Sequence, residues 1–309
     1  YQSQGKLDLS EKYLIQCLEL NMNEFRAHFL LSWQKDYINN QKYINHIKST
    51  HESNINSPIH KIDLLFTKAN IFHNEKNYQL ASDALIKANK MKLSIHRSDK
   101  DFLISRSNNL LNQAIKNKNN VKKDNSLEQG VLPIFIVGMP RCGSTLLETI
   151  LSTNNNIMPL GEVKYIEESF YSKDKKETES IEYIDLIKKY IDNHKIIIDK
   201  QLYNYMYVDY IIKTIPNAKI IHCIRNPLDN ILSIFKSHFA SGNRYASSLK
   251  DCLDVYENHI YIMNEYKKIY FENIFTVNYD RLVTNPTMNI KQLIEWLDLK
   301  WQESYLNPH

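Results

Sequence analysis

Apolar positions along residues 1–115 recur at helical spacing, and no segment there reads as a strand. Ala81, Ala84, Leu85 and Ala88 form one such stripe. The stretch GKLDLSEKYLIQCLEL (5–20) aligns with KNYQLASDALIKANKM (76–91) at an offset of 71. Leu9 then falls on Leu80, Ser10 on Ala81, Leu14 on Leu85 and Cys17 on Ala88. Two periods of about 34 residues plus a small insertion make that offset, and about 34 is the tetratricopeptide period. Small residues at the paired positions suit close helix–helix approach. The pattern predicts an all-α domain of tetratricopeptide-like helical repeats over 1–115, with a diverged middle unit near 33–57. An irregular helical bundle is the alternative.

Residues 116–130, KNKNNVKKDNSLEQG, are polar and aperiodic and read as a linker. The pattern changes from 131 on. Continuous apolar runs at 133–138, 195–199, 219–224 and 274–278 predict strands buried on both faces. Helical stripes separate them. Leu146, Leu147, Ile150 and Leu151 mark a helix over 144–152; Ile181, Ile184, Ile187 and Ile191 mark one over 181–193. Strands alternating with helices imply an α/β domain over 131–309, with a parallel sheet between two helical layers.

Composition changes this picture little. The 309 residues are 43% apolar and 24% charged, with a net charge of +4. That balance suits a small anion and is too mild to argue for nucleic acid. Cysteines at 17, 142, 223 and 252 form no C-x-x-C pair and no metal-ligand cluster, so free thiols and no metal are expected. No apolar run approaches the ~20 residues that span a bilayer. Together with the free thiols, this leads us to expect a cytoplasmic protein. The chain begins at Tyr1, so a preceding segment that has been removed stays open. His194, His222, His238 and His259 show no triad-like or metal-like spacing, and His222, within an apolar run, reads as a core residue. His238 precedes a loop at 239–246 and receives no role.

The candidate chemistry lies in IFIVGMPRCGSTLL (134–147). It maps onto the phosphate loop G-x-x-x-x-G-K-[ST] as Gly138, four residues, then Gly143-Ser144-Thr145. A strand precedes it and a helix follows, so the amides of Gly143, Ser144 and Thr145 would face an anion at a helix N-terminus. Ser144 stands where the lysine of triphosphatases would be, and Arg141 sits earlier in the loop. Loss of that lysine argues against triphosphate hydrolysis. A forked guanidinium with backbone donors suits a shorter anion. The alternative is a structural turn with no ligand.

PIFIVGMPRCGSTLLETIL resembles the 5′-phosphosulfate loop of sulfotransferases that use 3′-phosphoadenosine 5′-phosphosulfate, whose loop usually reads P-R-S-G-T-T; Cys142 and Ser144 depart from it. Four more stretches match in order. PLGEV (159–163) is similar to the segment carrying a catalytic glutamate in tyrosylprotein and tetratricopeptide-linked sulfotransferases, and IIIDK (196–200) to their D-K segment. IIHCIRNPLDNILSIF (220–235) resembles the 3′-phosphate segment, and VNYDRLVTNP (277–286) their Y-E-x-L-V-x-x-P. The resemblance covers about 131–306 and implies the P-loop-type three-layer sulfotransferase fold, with the helical repeats as an accessory domain.

It also implies roles. The donor would bind through Arg141, Cys142, Gly143, Ser144, Thr145, Arg225, Ser233 and Tyr279, and leave as adenosine 3′,5′-bisphosphate. Asn226 and Pro227 are a good helix start just after Arg225. Sulfuryl transfer to a hydroxyl needs a general base and a cation for the leaving phosphate. Glu162, given partial burial, is the expected base, and Lys200 the expected cation. Each has a plainer alternative: a solvated loop carboxylate for Glu162, an ion pair with Asp199 for Lys200, packing for Ser233 and Tyr279, and a surface position for Arg225. A small-molecule kinase and an inactive nucleotide domain in a repeat-based interaction protein are the competing functions. The repeats tilt the acceptor towards a protein or peptide. Family members continue past WQESYLNPH (301–309), so a fragment with an incomplete nucleotide site is expected.

Overall fold

The computed structural model describes residues 7–34, 40–117, 131–172, 181–191, 194–215, 217–239 and 242–308. They cluster into two compact units, Tyr1–Asp99 with Phe235–Asp251, and Lys100–Ile234 with Cys252–His309.

The first unit holds five α-helices among its described residues: α1 (Leu7–Leu20), α2 (Phe25–Leu31), α3 (Gln41–Ser49), α4 (Pro58–Asn74) and α5 (Tyr78–Ile95). Ser57 caps α4 by accepting from the His60 amide at 3.4 Å, with Pro58 in the first turn, where its missing N–H costs nothing. A tight turn follows, with Lys76 at φ 61° and Asn77 capping α5. Ser10, Ala81 and Ala88 are buried while Leu9 and Leu80 are exposed, so most of the aligned positions share their burial. Leu18, Phe25, Leu31, Ile47 and Leu64 form this unit's core. His238 belongs here as well. Its ring stacks on Phe66 at 4.5 Å, its Nε2 donates to Asp63 at 2.9 Å, and Lys92 Nζ meets its Nδ1 at 3.3 Å.

The second unit begins with α6 (Lys100–Lys116), whose Leu111 and Ala114 are buried in its core. The domain boundary expected at 115 therefore falls before this helix. Apolar burial assigns α6 to the α/β unit, which its own periodicity could not do. The expected linker at 116–130 lies outside the described residues from 118 on.

The remaining elements are β1 (Leu132–Gly138), α7 (Ser144–Ser152), β2 (Ile157–Gly161), α8 (Tyr165–Ser172), α9 (Tyr183–Ile191), β3 (Ile196–Asp199) and α10 (Val208–Thr214). Then come β4 (Lys219–Ile224), α11 (Pro227–Phe235), α12 (Leu249–Ile269), β5 (Ile274–Asn278), α13 (Tyr279–Thr284) and α14 (Pro286–Trp296). The strands form one parallel sheet in the order β2-β3-β1-β4-β5.

Side chains alternate across the sheet. Ile134, Ile136, Ile196 and Ile198 pack on one face with Leu147 and Leu151 of α7 and Leu293 of α14. Phe135, Val137 and Ile197 pack on the other with Ile187 of α9 and Ile262 of α12. Burial of each such side chain contributes about 1.5–3 kcal/mol. The helix expected at 181–193 is shorter: it starts at Tyr183, and Ile181 lies outside it, 46% exposed. Connections after β1 and β4 leave towards opposite edges, which opens a crevice at the carboxyl ends of these two strands.

Candidate functional site

The loop between β1 and α7 sits at that crevice. Gly138 is required by close approach, since a Cβ there would lie 2.5 Å from the Cys223 carbonyl oxygen on β4. Gly143 has φ 95°, and a Cβ there would meet the Tyr279 ring at 2.1 Å. Arg141 also adopts a left-handed φ, 67°, at a strain of about 1–3 kcal/mol for a side chain of this kind. That turn exposes Arg141 and aims its Nε at the Ser233 hydroxyl, 3.3 Å away.

Two expected loop donors prove to be engaged elsewhere. The Cys142 amide donates to Met139 O at 3.3 Å, and its thiol is fully buried. A hydrogen bond from the Cys223 thiol, helped by the Ser144 amide, holds the Cys142 thiol below its ordinary range. Gly143 and Thr145 start α7, where the first amides have no intrahelical acceptor. Asn230, fully buried on α11, donates its side-chain N–H to Pro140 O at 2.8 Å and ties the loop to that helix.

The other half of the site follows β4 and β5. Arg225 lies with its guanidinium 5.1 Å from the centre of the Tyr279 ring. The same ring covers Gly143, so three motifs distant in sequence meet through one tyrosine. Arg225 Nε is buried with no partner among the described residues. Asn226 caps α11 as expected, accepting from Leu228 N at 3.0 Å and Asp229 N at 3.3 Å. Its side chain therefore takes the amides of that helix start, and binding an anion there falls to side chains.

A second cluster sits at the carboxyl ends of β2 and β3. The Lys200 amide donates to Gly161 O at 2.9 Å, which sets Lys200 beside the loop carrying Glu162. Lys200 Nζ lies 3.4 Å from Glu162 Oε1 and 3.3 Å from Glu148 Oε2. The ion pair with Asp199, open in the sequence, does not form. Strand alternation sends Asp199 towards Tyr183 and Lys200 towards α7. Asp199 is fully buried, and desolvation raises its carboxyl from 3.8 to about 7 against hydrogen bonds from Gln201 N and Asn204.

The partial burial expected of Glu162 is absent; its side chain is 64% exposed. Glu148 is the residue that motif reading missed. It follows Ser144 by one helical turn, and that i, i+4 spacing was its only signal. His222 is a core residue, its Nε2 3.1 Å from that of His259, with burial holding both rings neutral. Among the described residues no group of His, Cys, Asp and Glu could hold a metal, and no helix is long and apolar enough to cross a membrane.

A glycine-bounded strand–loop–helix thus lies beside two arginines at the carboxyl edge of a parallel sheet, where open α/β folds place their ligand crevices. The chain belongs to the sulfotransferase family, whose family model matches residues 133–182 and 175–303, more than half of its length. It is similar to an uncharacterized protein of Aquifex aeolicus (strain VF5), 28% identical over 270 residues that cover 78% of this chain and 35% of that protein. It is also similar to the protein-tyrosine sulfotransferase of Drosophila melanogaster, 22% identical over 232 residues, covering 67% of this chain and 46% of that one. A solved sulfotransferase domain from the curacin biosynthetic pathway superposes with a TM-score of 0.46 at 17% identity, covering 58% of this chain and 78% of that domain. The chain spans about a third to a half of the length of these two relatives.

Proposed function

We propose that the protein transfers a sulfuryl group from 3′-phosphoadenosine 5′-phosphosulfate to an acceptor hydroxyl. The observation that carries the reading is the convergence of Arg141 with Ser233, and of Gly143 and Arg225 through Tyr279, at one crevice of the sheet. The residues fit such a donor. The buried, unpartnered Arg225 Nε needs an acceptor, and the exposed Arg141 fork and the amides opening α7 supply donors for a second phosphate. When bound, the donor supplies an activated sulfonate on a phosphate leaving group.

The chain's own residues then divide the work. Arg225 and Ser233 would hold the 3′-phosphate, and Tyr279 would flank the nucleotide. Arg141, the amides of Gly143 and Thr145 and the Ser144 hydroxyl would hold the 5′-phosphate; Cys142 contributes shape through its buried thiol, which takes the Ser144 amide. Lys200 would meet charge developing on the leaving oxygen. Glu162, exposed at its loop, would accept the proton of the hydroxyl. The protein-tyrosine sulfotransferases among the relatives favour a hydroxyl on a protein or peptide, and tetratricopeptide-like packing of α1–α5 would suit such a partner.

Calorimetry tests the reading. Adenosine 3′,5′-bisphosphate should bind more tightly than AMP and without magnesium. Tight binding of ATP with magnesium alone would support a kinase instead. No binding of any nucleotide would support an interaction protein with an inactive domain.

A further inference from the structure

Two carboxylates hold Lys200, and their surroundings differ sharply. The Glu148 side chain is 14% exposed and that of Glu162 is 64% exposed, at nearly equal distances from the ammonium of a Lys200 side chain that is 8% exposed. Equal distance does not mean equal interaction. A charge pair at a wet surface is screened by water and salt and contributes little. A pair removed from water is screened far less. Glu148 also has little else to stabilise its charge, because its Oε1 is buried and meets no partner among the described residues. Its charge is felt on the other face of β3 too, where it adds to the desolvation that raises the Asp199 carboxyl.

We propose that Glu148 is a positioning residue that fixes the place of the Lys200 ammonium, while Glu162 is a replaceable second contact. The use made of Lys200 rests on the sulfuryl-transfer reading; the contact itself does not. Ser144 and Glu148 lie on one face of α7, a turn apart, so the helix that opens the phosphate loop also carries the anchor of the lysine. The loop and Lys200 thereby share one rigid element. The titratable groups around Lys200 are Glu148 from α7, Glu162 from the loop after β2, and Asp199 behind it on β3.

The experiment is pH-dependent acylation of the intact chain with acetic anhydride, read at Lys200 by mass spectrometry. In Glu148→Gln the buried lysine keeps only a screened partner and is no longer held in place, so its rate of acylation at pH 8 should rise by ~10-fold or more. In Glu162→Gln it should change by less than about twofold. Glu148→Asp should restore part of the protection. Equal responses in the two Gln variants, or none in Glu148→Gln, would overturn the proposal. A measurement on the unaltered protein decides the matter if Glu148→Gln does not fold. Raising salt to about 1 M should leave Lys200 acylation unchanged if the buried carboxylate holds it, and raise it if the exposed one does. Failure of the functional reading shows separately, as absence of adenosine 3′,5′-bisphosphate binding whatever Lys200 does.

Discussion

Replacing Asp199 by Asn should stabilise the second unit above neutral pH and leave it nearly unchanged near pH 4. Asp199 ends β3, fully buried, and its Oδ1 accepts from Gln201 N at 3.0 Å and Asn204 Nδ2 at 3.1 Å. An asparagine can keep both bonds through its own Oδ1. The charge is what differs. Burial raises the folded carboxyl from 3.8 to about 7, so the folded chain binds a proton that the unfolded chain has already released. Stability is therefore lost as pH rises from about 4 to about 7, and the full cost is present above 7. The displacement corresponds to about 4 kcal/mol. The Asp199→Asn variant carries no such dependence. Urea unfolding at a series of pH values, followed through the fluorescence of Trp296 and Trp301, measures it. The variant and the parent should have similar midpoints at pH 4 and diverge towards pH 8. Parallel curves across that range would show Asp199 ionised at neutral pH and refute the desolvation reasoning.

Three further outcomes are expected. Arg225→Ala should bring affinity for adenosine 3′,5′-bisphosphate down towards that for AMP, a loss of about 1.5–3 kcal/mol for each charged hydrogen bond removed; calorimetry showing equal weakening of both nucleotides would take the 3′-phosphate away from this residue. On the proposed reading, Glu162→Gln should lower turnover by ~10²–10⁴-fold with donor affinity unchanged, because it removes the base for the acceptor hydroxyl and no contact to the phosphates; near-normal turnover at saturating donor would remove it as the base. Gly143→Ala should weaken nucleotide binding and lower Tm more than Gly161→Ala, since both glycines have positive φ but only the first would drive a Cβ into the Tyr279 ring; equal effects would mean that backbone strain alone is felt.

β1, β3 and β4 were legible because a strand buried on both faces must be apolar without interruption; β5 was legible too, but it is an edge strand that leaves Thr276 exposed, so the burial on both faces expected of it is absent. β2 was not legible. Ile157–Gly161 is a short edge strand that pairs only with β3, and it contains Pro159 and ends in Gly161. Proline is tolerated there because one side of an edge strand needs no ladder bond. The glycine-bounded turn between β1 and α7 and the cap of α11 were legible because local backbone chemistry dictates glycine, asparagine and proline at fixed offsets. What sequence could not decide was which side chains share a partner. The pairing of Lys200 with Glu148 in place of its neighbour Asp199 and the ring of Tyr279 between Gly143 and Arg225 join residues by sheet order and strand alternation, whereas His238 meets Phe66 of α4 within the helical unit. The exposure of Glu162 and the protonation of Asp199 belong to the same class. Residue type and spacing set local conformation and candidate chemistry, whereas dielectric surroundings and ion-pair choice depend on what the folded chain brings within a few ångströms.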